Sequence, residues 1–266
     1  MSSNSHLLPT VTRNCLALLT LAITITSATS ARAQSVDEFG RYDEPDMRPE
    51  TSSQNFTLEL RGGPYLPRVD SEFPVNRPFE TFYGTKRRVA LGVEFDWYPF
   101  EIKDTLRFGP GVGVMYTSVG ADGFIKKDPE NRAAGQTSSL KIFPHWVAAV
   151  LRLDALARRT PIPIVFTAKG GLAQALWWTS DEPRNSPAYD GTMGRGRSYG
   201  YYYGAGAMLD FGFLDNTRSK RLDAFLGINH IYFFGEFYAL ELDGFGASNI
   251  MNVGDRSWVL GLAFDL

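Results

Sequence analysis

The chain has 266 residues, 44% hydrophobic and 14% aromatic, with 26 Gly, 15 Pro and one Cys. That apolar share is too high for a disordered chain, and a mean hydropathy of -0.18 with a single long apolar run excludes a multi-span helical membrane protein. A net charge of -2 gives no electrostatic case for nucleic acid, and one Cys cannot close an internal disulfide or build a Cys-rich metal site.

Residues 1–33 read as a secretory signal peptide. Arg13 supplies the positive start, Leu16 to Ile25 a short apolar run, and Ala31-Arg32-Ala33 an A-x-A cleavage site before Gln34. Cys15 precedes that site and is expected to be lost on processing, along with Arg13 and Arg32, which takes the net charge to about -4. The competing reading is an uncleaved N-terminal anchor. Residues 34–54 hold six acids, two Arg and two Pro without period, as a flexible acidic extension does.

From Asn55 the sequence alternates with period 2, the mark of strands with two unlike faces. Segment 55–63 sets Phe56, Leu58 and Leu60 against Thr57, Glu59 and Arg61. Segment 87–98 sets Val89, Leu91, Val93, Phe95 and Trp97 against Arg88, Ala90, Gly92, Glu94, Asp96 and Tyr98. Segment 106–117 opposes Leu106, Phe108, Val112, Val114 and Tyr116 to Arg107 and three glycines. Segment 139–153 alternates less cleanly, and Pro144 with the shift near Leu151 predicts a bulge. Segments 163–178, 198–212, 221–234 and 256–266 follow.

The connections run long (64–86, 118–138, 179–197, 235–255) and short (99–105, 154–162, 213–220) in alternation. This predicts an all-β fold: an eight-stranded antiparallel up-and-down transmembrane β-barrel over 55–266, with short periplasmic turns and long outer loops. Both mature termini then lie in the periplasm. A soluble lipocalin-like barrel or a sandwich is the competing fold.

Aromatic residues fall at strand ends, as two interfacial girdles require. Trp97, Tyr98, Phe108, Phe166, Phe211 and Phe264 are expected at the periplasmic end. Tyr116, Trp177, Trp178, Tyr199, Tyr201, Tyr232 and Trp258 are expected at the outer end. Phe82, Tyr83, Phe124, Tyr189, Phe237, Tyr238 and Phe245 are expected in the outer loops. The polar face is the lumen, which in eight strands is filled by side chains. It is expected to hold a charge network of Glu59, Arg61, Arg88, Glu94, Asp96, Arg107, Lys141, Lys169, Asp210 and Asp223, both signs pairing across the narrow interior.

Several stretches carry a resemblance. LELRGGPYLPRVD (Leu58 to Asp70), VLRLDALARRTPIPIVFTAKGGLAQALWW (Val150 to Trp178), GINHIYFFGEF (Gly227 to Phe237), DGFG (Asp243 to Gly246) and SWVLGLAFDL (Ser257 to Leu266) together resemble a myxobacterial-type outer-membrane β-barrel family of unknown function. The resemblance spans nearly all the chain after residue 55. It implies the barrel and the cell outer membrane and no catalytic residue. Such barrels usually end in Phe or Trp for their assembly machinery, whereas this chain ends in Leu266 with Phe264 two places before.

Chemistry-bearing residues are sparse. His145 and His230 remain after processing, the second placed near the outer end of the seventh segment. Ser138 and Ser139 lie outward of His145, but neither histidine has a spacing that joins nucleophile and base. Asp181, Glu182, Asp190, Asp243 and Asp255 lack calcium-loop spacing, and the Gly-rich stretches precede no helix. Arg184, Arg195 and Arg197 are candidates for lipid phosphate, against the plainer reading that they serve solubility.

These features lead to a non-enzymatic outer-membrane barrel with a structural or surface-interaction role. Its lumen is filled by paired charges and it takes no cofactor or metal. It is expected to be a monomer. Its expected partners are membrane lipids, lipopolysaccharide and the barrel assembly machinery, not nucleic acid. A narrow solute pore and a lipid A-modifying enzyme remain the alternatives.

Overall fold

A computed structural model describes residues 55–73, 75–103, 105–125, 128–182, 194–211, 230–247 and 250–266, with side chains described except within 124–136 and 181–182. The signal peptide read over 1–33 and the extension 34–54 lie outside the described residues. The strands are β1 (Phe56–Tyr65), β2 (Arg88–Trp97), a short β3 (Phe100–Ile102), β4 (Leu106–Ile125), β5 (Asp128–Leu153), β6 (Ile164–Glu182), β7 (Arg195–Asp210), β8 (His230–Glu241) and β9 (Asp255–Asp265). Helix α1 (Pro78–Tyr83) lies in the first long connection and α2 (Ala155–Arg159) between β5 and β6.

Every neighbouring pair is antiparallel, and β1 pairs with both β2 and β9, so eight strands close into a barrel with β3 beside β4 at one end. The closure runs from Thr57↔Asp265 to Gly62↔Leu260, and Leu266 N–H donates to Phe56 C=O at 2.9 Å. Closure gives each of the eight barrel strands a partner on both sides, while β3 pairs with β4 alone. The end carrying Phe56 and Leu266 is the terminal end here, and the opposite one the loop end.

Three boundaries differ from the sequence reading. The stretch 118–138, read as a loop, is largely strand: β4 and β5 continue together to Ile125↔Asp128, with a register irregularity at Asp122–Ile125. The ladder is regular around Pro144, where a bulge was expected: β5 pairs with β6 residue for residue from Thr137↔Glu182 to Leu153↔Phe166. The seventh strand runs on to Glu241 rather than stopping at 234, and residues 212–229, including the start of that segment, lie outside the described residues. Phe237 and Tyr238 are therefore strand residues.

The alternation becomes two surfaces. Outward lie Val89, Leu91, Val93, Phe95 and Trp97 on β2, Val112 on β4, Val147 on β5, Leu172 on β6 and Leu260 and Leu262 on β9, all large apolar side chains left exposed. Inward lie the buried charges and, toward the loop end, a buried apolar cluster including Tyr65, Met115, Leu140, Ile142, Trp146, Tyr202, Phe234 and Leu240. Glycines make room for the large rings: a Cβ at Gly113 would collide with the Trp146 indole, and one at Gly196 with Trp177. Among the described residues no helix is long and apolar enough to cross a membrane, which says nothing about strands.

Candidate functional site

The lumen is filled in layers. At the terminal end Arg152, wholly buried on β5, donates both Nη atoms to Asp265 of β9, at 2.7 and 2.9 Å. Its Nε donates to Asp154 at 2.9 Å, and Arg107 donates to the other Asp154 oxygen at 2.7 Å. Thr57 Oγ1 donates to Asp265 at 2.6 Å. Tyr98 and Tyr232 lie on Arg152, with ring centroids 5.9 and 4.9 Å from its guanidinium carbon. Two cations meet two carboxylates here, with the forked geometry that makes Arg pairs strong.

The middle layer is more acidic. Lys169 Nζ reaches Glu59 at 2.9 Å, Glu94 at 3.0 Å, Glu236 at 3.4 Å and Asp96 at 3.5 Å. Arg61 bridges Glu59, Glu94 at 2.7 Å and Glu236 at 3.2 Å. Tyr202 O–H donates to Glu236 at 2.6 Å, and Tyr98 O–H to Asp96 at 3.2 Å, which links the two layers. Four carboxylates therefore surround two cations, and Asp96 Oδ1 has no hydrogen-bond partner. Oxygens of Glu59, Glu94 and Asp96 lie within 4.8 Å of one another, a spacing that suits a metal ion. The Lys169 ammonium already sits among them.

Above this layer the Arg61 guanidinium lies between Trp146 and Phe234, at 5.4 and 5.7 Å from the ring centroids. The first and fourth loop-end connections then cover the mouth. Asp70 caps the start of α1, accepting from the N–H groups of Phe79 and Glu80, both at 2.8 Å, and Phe79 and Val69 are buried. Glu72 accepts from Asn252 N–H at 2.6 Å, and Ser198 donates to Met251 C=O at 2.6 Å.

Of the residues expected in the network, Glu59, Arg61, Glu94, Asp96 and Lys169 meet in the middle layer and Arg107 in the terminal one. Arg88 is half-buried at the loop end, where it reaches Gly120 C=O at 3.5 Å. Asp210 accepts a hydrogen bond from His230 Nδ1 at 2.9 Å at the terminal end. Asp223 lies outside the described residues. Lys141 is a correction. Leu140, Ile142, Trp146, Ala148, Val150 and Arg152 face the lumen, which puts Lys141 on the outward face. The loop-end part of the lumen is apolar, so polarity ceases to mark the inside there.

Of the girdle residues, Trp97, Phe108, Phe166, Phe211 and Phe264 lie toward the terminal end and Tyr116, Trp178, Tyr199, Tyr201 and Trp258 toward the loop end, none of them buried. Three others are corrections. Tyr98 and Tyr232 are buried lumen residues that stack on Arg152. Tyr232 is also at the terminal end, because β8 begins at His230. Trp177 has the inward parity of Lys169 and packs against the buried cluster under α1. In all three the phase of the strand points inward, and phase overrides aromatic type.

Arg152, Asp154, Asp265 and Glu236 are missing from the sequence-based network. Asp265 alternates with the apolar Phe264 and Leu266 of its segment. Glu236 follows Gly235 and reads as the start of a loop. His230 lies at the terminal end with Asp210, not at the outer rim, and His145 Nε2 meets Gln174 Oε1 at 2.8 Å on the outward face.

No protein-family model and no curated protein matches the chain. Among solved structures it is similar to Ail, the attachment invasion locus protein of Yersinia pestis, at 10% identity and a TM-score of 0.38, covering 80% of this chain and 97% of that one. It is similar to Neisserial surface protein A at 11% identity and 0.41, covering 80% and 98%. OprG from Pseudomonas aeruginosa gives 10% and 0.38, covering 80% and 95%. At these values the likeness adds nothing to the closed ladder, which defines the barrel by itself.

Proposed function

We propose that the chain is a non-enzymatic outer-membrane barrel whose lumen is closed by its own side chains and whose contacts with other molecules are made at the loop end. The observation that carries this is the pairing across the diameter. Lys169 on β6 meets Glu59 on β1, and Arg152 on β5 meets Asp265 on β9, each pair four strands apart around a ring of eight. Charges so placed hold the walls together and occupy the axis. The outer wall, which carries exposed large apolar side chains on every strand, suits hydrocarbon and would be a large exposed apolar surface in water. The terminal end then faces the periplasm and the capped end the outside.

The two histidines support the non-enzymatic part, since they lie at different places on the barrel, His145 against Gln174 and the Phe143 carbonyl and His230 against Asp210. Cells with and without the protein should yield an outer-membrane fraction that differs in this band and lipid A of identical mass. A mass change abolished by His145→Ala or His230→Ala would overturn the reading in favour of a lipid-modifying enzyme.

A further inference from the structure

We propose that the outward face of β5, β6 and β7 at the loop end binds one phosphorylated outer-leaflet glycolipid of the lipid A type, its phosphate held by Lys141, Arg195 and Arg197. This rests on the outer-membrane reading above and goes on to name a ligand. The registers align these strands in rows. Lys141↔Trp178↔Arg195 is nearest the loop end, followed by Phe143↔Leu176↔Arg197 and His145↔Gln174↔Tyr199. Deeper still lie Val147↔Leu172↔Tyr201 and Ala149↔Gly170↔Tyr203. Directly paired residues on one face have Cβ atoms about 5 Å apart, so the residues of each row are side-by-side neighbours on the outward face.

The top two rows hold three cations. Arg195 and Arg197 are exposed and Lys141 half-buried, and none of the three has an ion-pair partner among the described residues. Elsewhere at this rim Arg68 and Arg256 face Glu241, Arg77 faces Glu80 and Arg87 faces Asp255. Among the described residues the patch is thus a positive field with no paired acid, at the level where headgroups lie. A phosphomonoester carries about -1.5 to -2 charge near neutrality, against -1 for a phosphodiester, and Arg forks match its oxygens. Three cations suit the former, which selects a phosphorylated sugar lipid over an ordinary phospholipid.

The rows beneath repeat the order of groups in such a lipid. Each lies about 5 Å deeper than the last for strands with the usual tilt. His145 hydrogen-bonds Gln174 at 2.8 Å, with Tyr199 alongside. A polar row facing lipid is costly unless it finds partners. The amide and hydroxyl groups of hydroxyacyl chains supply donors and acceptors at that depth. Below it the floor is small at Ala149 and Gly170, where a Cβ would meet nothing within 4 Å. Past Tyr203 the outward surface is hollowed by a groove of about 660 Å³ along Ala205, Phe237, Ala239 and Trp258, lined also by Arg87, Arg256 and Ser257, in which Phe237 is 75% exposed. Acyl chains fit both hollows.

Native mass spectrometry of the folded full-length barrel with added bis-phosphorylated lipid A tests the site. The wild type should retain one lipid A, and the Lys141→Gln/Arg195→Gln/Arg197→Gln variant should retain at least tenfold less while keeping its heat-modifiable gel shift. Arg68→Gln/Arg77→Gln, which removes two paired rim cations, should stay within twofold of the wild type. Phosphatidylglycerol should be retained at least tenfold less, and millimolar inorganic phosphate should not displace lipid A. Equal retention by the triple variant, equal retention of phosphatidylglycerol, or displacement by free phosphate would each overturn the proposal. A wild type that gives no heat-modified species in lipid would overturn the membrane-barrel reading and this proposal with it.

Discussion

Lys169 holds its ammonium among Glu59, Glu94, Asp96 and Glu236, all buried, so removing it would leave Arg61 alone to face them. Breaking a buried ion pair by deleting one partner costs about 3–5 kcal/mol, because the remaining charges stay desolvated. Lys169→Met should lower the unfolding free energy by that order in urea titrations of the folded barrel. The excess of acid gives a second, opposite test. Asp96→Asn removes one negative charge from an over-acidic layer and should change stability by less than about 1 kcal/mol. Equal losses in the two variants would contradict a cluster short of positive charge. Much of this layer was readable residue by residue, because Glu59, Arg61, Glu94, Asp96 and Lys169 stand opposite apolar neighbours in clean alternation. Arg152 was not, since the run Trp146 to Leu151 before it is apolar on both faces and hides the phase. Tyr98, Trp177 and Tyr232 were read by residue type, and lumen phase took precedence.

At the scale of elements, the strands that face lipid on one side and charge on the other were visible, and those that do not were misjudged. The extension of β4 and β5 beyond residue 118 is held by backbone pairing as far as Ile125↔Asp128. Its sequence, with Gly120, Asp122, Gly123, Ser138 and Ser139, has no apolar face from which period 2 could show. The seventh strand was displaced because Gly235-Glu236 looks like a loop entry, whereas Glu236 is the charge that meets Arg61 and Lys169. The outward face makes a direct prediction. Leu260, outward near the middle of β9, pairs with Gly62 and Gly235 and is 43% exposed. Leu260→Arg should cost about 2–4 kcal/mol in folded stability in bilayers, the penalty for a cation near the midplane. No loss would mean that this wall does not meet lipid. The direction of insertion is testable as well, because the one cysteine, Cys15, is expected to leave with the signal peptide. Thr85→Cys, exposed in the first loop-end connection, should react with an impermeant maleimide on intact cells, and Thr160→Cys, exposed after α2, should not. The reverse pattern would invert the topology.

At the scale of the molecule, the barrel's width and its charges act together. Eight strands leave an interior that side chains fill. In this chain the filling is ionic in the two layers nearest the terminal end and apolar above, under a cap in which Asp70 holds α1 and Glu72 ties the first connection to Asn252 of the fourth. Because Lys169–Glu59 and Arg152–Asp265 each span the full ring, an aqueous path would require both to part, at the cost of buried charges left alone. A pore would keep an open passage ringed by one sign of charge or gated by an apolar constriction. The most direct test of the closed lumen is single-channel recording of the purified barrel in planar bilayers. The account predicts no conductance steps above those of a detergent control, whereas steady, ion-selective conductance by the wild-type protein would contradict it.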